Sequence, residues 1–294
     1  MASIILGILE QGLIFGIIAL GVYITYKILD FPDLTVDGSY PLGAAITGLL
    51  LVNGYSPWLA LLAATAAGIL AGVITGLIHV KGKVRDLLSG IITMTGLYSV
   101  NLRIAGSANV PLFQSETIFN NNLVNNIFTG VLAPYKALII IIIMALAAKI
   151  ILDLYLKTRS GYLLQAVGDN HNVVTALGKN KGTVKIIGLA IANGLVALAG
   201  SIMCQHQRFF EITMGTGTIV IGLASVIIGL SIFKKFTFVK ATTAVIFGSI
   251  AYKACVALAI ALGLPAVDMK LITAILFLAI LIISMERKKR VKPC

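Results

Sequence analysis

The chain has 294 residues, 59% of them hydrophobic and only 12% charged, with a mean hydropathy of +1.01. A charged fraction about half the usual one excludes a soluble globular domain. In so apolar a chain the net charge of +12 marks basic loops at one membrane face and not a nucleic-acid partner.

The opening run, MASIILGILEQGLIFGIIAL, has no cationic segment before it and no small-residue cleavage pattern after it, so it is expected to remain as the first membrane helix. A bilayer crossing takes roughly 20 mostly apolar residues. Apolar runs between polar breaks predict an all-α, polytopic membrane protein forming one transmembrane domain. It would have about nine membrane helices, at 4–28, 39–54, 57–80, 87–104, 132–156, 184–204, 214–233, 238–262 and 269–286. The second and fourth are short for a crossing. Short or broken helices line cavities in such proteins, because irregular backbone at membrane depth needs protein or water partners.

Lys81-Lys83-Arg85, the 157–185 loop, Lys234-Lys235-Lys240 and the tail Arg287 to Lys292 hold most of the cations. Placing all four inside gives a consistent alternation, with the N-terminus outside and the C-terminus cytoplasmic in a multi-pass cell-membrane protein. Residues 39–104 and 214–286 share one layout five elements apart, with Gly43 loosely aligned on Gly222. An odd offset inverts the second copy, as in transporters with inverted repeats; chance likeness between two apolar helix trios is the alternative. Gly68, Gly72 and Gly76 offer a small-residue packing face, and Gly222 and Gly229 another.

In DLTVDGSYPLGAA, residues 33–45, Asp37 or Ser39 followed by Pro41 is a helix-start signal. Capping its own helix is one role for Asp37. The other is that this helix start, with its positive dipole end, borders a translocation route. The candidate route residues are Thr35, Asp37, Gly38, Ser39, Thr93 and Asn193, with Asn193 read first as an interhelical hydrogen-bonder. Glu10, Gln11, Thr95, Asn101 and Lys253 are weaker candidates, and Lys253 is expected to snorkel outward. Cys204, Cys255 and Cys294 follow no C-x-x-C spacing and are read as packing residues.

The loop KTRSGYLLQAVGDNHNVVTALGKNKGTVK, residues 157–185, predicts two short amphipathic helices. Ser160 would cap the first, which carries Leu163, Leu164 and Val167. Asp169 or Asn170 would cap the second, ended by Gly178. By residue pattern alone they form either a docking knob or a pair of helices resting on the bilayer surface.

RSGYLLQAVGDN with a following ALG, and then the span IIGLAIANGLVALAGSI, resembles the cytoplasmic loop and next helix of ABC importer permeases of the branched-chain amino acid and ribose type. The resemblance continues through GLASVIIGL at 222–230 and the last spans. Where those permeases often read Glu-Ala-Ala-x-x-x-Gly, this chain has Asn172-Val173-Val174 before Thr175-Ala176-Leu177-Gly178. The resemblance implies that the loop contacts an ATPase, with Gly161, Leu164, Ala166, Val167, Gly168, Asp169, Asn170, Ala176, Leu177 and Gly178 as coupling residues. Residues 33–45 are similar to the subgroup linked to tryptophan and tyrosine uptake, which implies an amino acid, aromatic or branched-chain, as substrate. The implied partners are a cytoplasmic ATP-binding subunit, an extracytoplasmic solute-binding protein and a second copy of the chain.

No phosphate loop, metal-spaced His/acid pair or nucleophile elbow occurs in the sequence. The chain is therefore expected to be no enzyme, with no catalytic residue, metal or cofactor of its own. An ion-coupled secondary transporter is the second function class, but Glu10 is its only clear internal acid.

Overall fold

The computed structural model describes residues 2–128, 130–169, 180–236 and 238–262, with helical pieces at 271, 273–275, 277–279 and 282. The first run forms α1 (Ala2–Val22), which passes into a π-helical turn at Tyr23–Ile28. The chain then leaves the helix through Asp30, whose φ is 50°. The helices α2 (Val36–Val52), α3 (Pro57–Val80) and α4 (Asp86–Ala105) follow. Next come strand β1 (Asn109–Pro111), α5 (Asn122–Ile127), α6 (Lys136–Leu156) and α7 (Arg159–Asp169). After these lie α8 (Lys181–Gln207), strand β2 (Phe209–Glu211), α9 (Thr218–Ile232) and α10 (Ala241–Ala261).

Among the described residues, seven helices are long and apolar enough to cross a membrane, with α2 as a shorter apolar helix. These eight correspond to the first eight predicted elements; most of the ninth, 269–286, lies outside the described residues. The fourth is longer than expected at 20 residues, because Asp86 joins its first turn, where a carboxylate suits the helix dipole. The second begins earlier than Ser39. Pro41 therefore stands inside α2, where its missing N–H leaves the Asp37 carbonyl without a helical partner. Gly215 fills the space beside that carbonyl and the Pro41 ring, and a Cβ there would collide with both.

α8 is the central helix, packed against α1, α2 and α3. Its closest neighbour is α3, and the predicted glycine face is the reason: a Cβ on Gly72 would collide with the Leu189 carbonyl, and one on Gly76 would lie 2.9 Å from the Ile186 Cα. The antiparallel pair β1–β2, in register Val110↔Phe210, fixes the exits of α4 and α8 at one end of the bundle. At the other end His79 of α3 meets Lys185 of α8, and Asp153 of α6 binds Lys240 and Thr242 at the start of α10.

The packing has the symmetry of a repeat. Exchanging α1–α2–α3 with α8–α9–α10 carries the α3–α8 contact onto α10–α1, α2–α3 onto α9–α10, and α2–α8 onto α9–α1. Because Glu10 near the start of α1 touches His206 near the end of α8, the two trios run in opposite directions. The repeat thus takes in α1 and α8 as well as the broken helices that the sequence had paired.

Candidate functional site

Four of the six predicted route residues lie in two short hydrogen-bond chains at the start of α2. Asp33, fully buried, accepts from the Thr35 N–H at 2.9 Å and from Asn193 Nδ2 at 2.8 Å. The Asn193 carbonyl oxygen in turn accepts from Ser39 Oγ at 2.7 Å. The Thr35 hydroxyl meets that of Thr75 on α3 at 2.9 Å, and Thr75 donates to Thr93 on α4 at 3.0 Å. Five segments are joined in this way, and each polar group is satisfied at depth by another segment, as lipid-surrounded helices require. Gly38 closes the group: its carbonyl accepts from Asn101 Nδ2 at 3.1 Å.

Asp37 does something else. Its carboxylate leaves α2 and caps the start of α9, accepting from the Gly217 N–H at 3.0 Å and the Ile219 N–H at 2.8 Å. The expected cap on its own helix is absent; Asp33 holds the Thr35 N–H instead. The acid of one broken helix therefore satisfies the orphan donors of its counterpart in the other repeat. Glu211, before α9, accepts from the Thr213 hydroxyl two residues on, whereas Asp33 accepts from the Thr35 backbone N–H at the same separation.

Since Asn193 supplies one of the two hydrogen bonds received by the Asp33 carboxyl group, Asn193→Leu would leave a buried polar group half-satisfied. A loss of about 3 kcal/mol is expected, read as a lower thermal midpoint of the purified protein. An unchanged midpoint would mean that the carboxyl group finds water or another donor.

Thr93 faces inward on α4 with Ser89, Leu97 and Asn101. The opposite face exposes Thr95, Gly96, Ser99 and Arg103 at helical spacing, on the span with the lowest hydropathy of the seven. Thr95 returns its hydroxyl to the Ile91 carbonyl, 2.8 Å away. This polar stripe was missed except for Thr95; a helical wheel separates 93 from 95, but packing is needed to tell which of them faces inward.

α7 realises the first predicted loop helix, capped by Thr158, whose hydroxyl accepts from the Gly161 N–H at 3.2 Å, and not by Ser160. Leu164 and Val167 are fully buried. Leu164 reaches toward Gly188, and Gly168 abuts the Ile28 carbonyl at the π-helical turn. Gly161 backs onto Tyr155 and Leu156, and Ala166 is half-buried. Arg159, Tyr162 and Gln165 form the exposed face. Asp169 ends α7; Asn170, Ala176, Leu177 and Gly178 lie outside the described residues.

Two weaker candidates are internal fittings. Glu10 pairs with His206 at 3.0 Å beneath Phe119. Lys253 does not snorkel outward: its ammonium sits 3.8 Å from the centre of the Phe15 ring and 3.4 Å from Gln11 Oε1, a cation–π contact to α1. Cys204 is buried as expected, whereas Cys255 is exposed.

Comparison with known proteins agrees with this architecture. Residues 4–285 match the model of the branched-chain amino acid transport system permease component. A tyrosine transport system permease protein of Clostridioides difficile is 50% identical over 94% of this chain and 90% of its own length. A ribose import permease protein of Haemophilus influenzae is 28% identical over 76% and 68%. An inward-facing putative metal-chelate type ABC transporter superposes with a TM-score of 0.54 over 95% of this chain and 84% of that one. At 15% identity this last likeness concerns the fold alone. The chain belongs to the branched-chain amino acid transport system permease family and is the permease component of an ABC importer.

Proposed function

We propose that two copies of this chain enclose a route for an amino acid, tyrosine first among the candidates, between their α4 helices. The observation that carries the route is the polar, exposed stripe Thr95–Ser99–Arg103 on a helix of spanning length. Hydroxyls in the middle of a span are better matched by water or a partner helix than by lipid tails. Gly96, beside them, has open space where a side chain would stand. The buried chain from Thr35 to Asn193 then acts as the brace behind the lining, not as the lining itself. The tyrosine assignment is supported by the relative that is half identical over nearly the whole chain.

The remaining parts follow from the same reading. A solute-binding protein delivers substrate at the β1–β2 end, and the basic end, with the C-terminus, faces the cytoplasm. A separate ATPase subunit docks on the exposed face of α7 through Arg159, Tyr162 and Gln165. Its motion reaches the π-helical turn through buried Leu164, Val167 and Gly168. The test is accessibility. Thr95→Cys and Ser99→Cys should react with a small aqueous thiol reagent in the assembled transporter, at a rate that changes with nucleotide, while Thr93→Cys stays protected. Protection of all three in every state would remove α4 from the route.

A further inference from the structure

The basic end of the bundle handles its cations in two different ways. At α6 and α10, Lys149 and Lys240 lie 3.1 and 3.0 Å from Asp153, which also accepts from the Thr242 hydroxyl. Where α3 ends and α8 begins, five cations gather with no such partner. Lys81, Lys83 and Arg85 follow α3, and Lys181 and Lys185 open α8. Val80 packs on Gly182, and His79 touches Lys185, so the two groups are contiguous. Among the described residues no carboxylate comes within 4.0 Å of any of the five. Asp30 and Asp86 act on Lys185 only at longer range.

His79 ties the two groups of cations together. Its Nδ1 lies 2.9 Å from the Val84 carbonyl, an acceptor, so that nitrogen carries the proton. Nε2 is then left to accept from the Lys185 ammonium at 3.3 Å. The ammonium is half-buried with one donor used, and Lys81, Lys83, Arg85 and Lys181 are exposed. An apolar track on the outer face of α3 leads to Lys81: Leu70 and Ile74 are 62% and 50% exposed, and Ile78 continues the track to the end of the helix.

We infer that the junction of α3 and α8 binds the phosphate headgroup of an anionic phospholipid, with an acyl chain lying along Leu70, Ile74 and Ile78. A diester phosphate between Lys81, Arg85 and Lys185 supplies the missing counter-charge, and cation clusters beside spanning helices recognise such headgroups. The site is separate from the α4 route and does not depend on the transported solute.

Native mass spectrometry of the full-length protein in detergent, titrated with phosphatidylglycerol or phosphatidylcholine, tests the inference. The expected result is a preference of about tenfold for phosphatidylglycerol, falling to about twofold in each of the single variants Lys81→Gln, Arg85→Gln and Lys185→Gln. Lys81→Gln, at an exposed position, gives this reading without risk to folding. Leu70→Ser with Ile74→Ser should weaken both lipids, and Lys149→Gln with Lys240→Gln should change nothing. Equal retention of the two lipids, or a preference that survives the removal of all three cations, would overturn the site. So would displacement of phosphatidylglycerol by millimolar inorganic phosphate, which would make the junction a site for free anions.

Discussion

Asp37→Ala is expected to cost about 3 kcal/mol of stability and to abolish transport. The substitution strands the Gly217 and Ile219 N–H groups at the start of α9, and charge-assisted bonds to orphan helix donors are among the stronger polar contacts in a fold. It also removes a link between the two repeats, since the carboxylate belongs to α2 and the donors to α9. Asp37→Asn keeps one acceptor for Ile219 but turns an amide toward Gly217, so about half of the loss should remain. Thermal denaturation and vesicle uptake of both variants check this, and wild-type stability in Asp37→Ala would show that α9 caps itself with water.

A second large effect is expected at α7. Leu164 is fully buried against the start of α8 and the π-helical turn, so Leu164→Glu places an unpaired carboxylate in an apolar contact and should detach α7 from the membrane helices. Transport should fall at least tenfold, while an attached ATPase goes on hydrolysing ATP at its basal rate. Tyr162→Ala, by contrast, removes a side chain that is 62% exposed. It should leave the thermal midpoint alone and weaken retention of the ATPase subunit on purification. If the two variants exchange these outcomes, the assignment of inner and outer faces of α7 is wrong.

The elements legible in the sequence were those set by composition and local chemistry. Apolar length located the spans to within a few residues, and glycine spacing located the α3 face that meets α8. What a side chain does at long range was not legible. Asp37 reads as a local cap because Ser39 and Pro41 follow it, yet its carboxylate is held by groups 180 and 182 positions away. Lys253 reads as a snorkelling cation because lysine usually reaches for water, and only the packing of α10 on α1 puts Phe15 beneath it. Asn193 was read rightly as an interhelical bonder, since an amide in so apolar a helix has few other uses.

The central claim is that this permease moves its solute only when a separate ATPase drives it. Uptake of radiolabelled tyrosine into proteoliposomes holding the chain, with and without the ATPase subunit and the solute-binding protein, tests it most directly. The account predicts uptake that requires ATP, both partners and an intact Asp37, and that ignores ionophores. Accumulation by the chain alone, collapsed by an ionophore and indifferent to ATP, would contradict it and restore the ion-coupled reading.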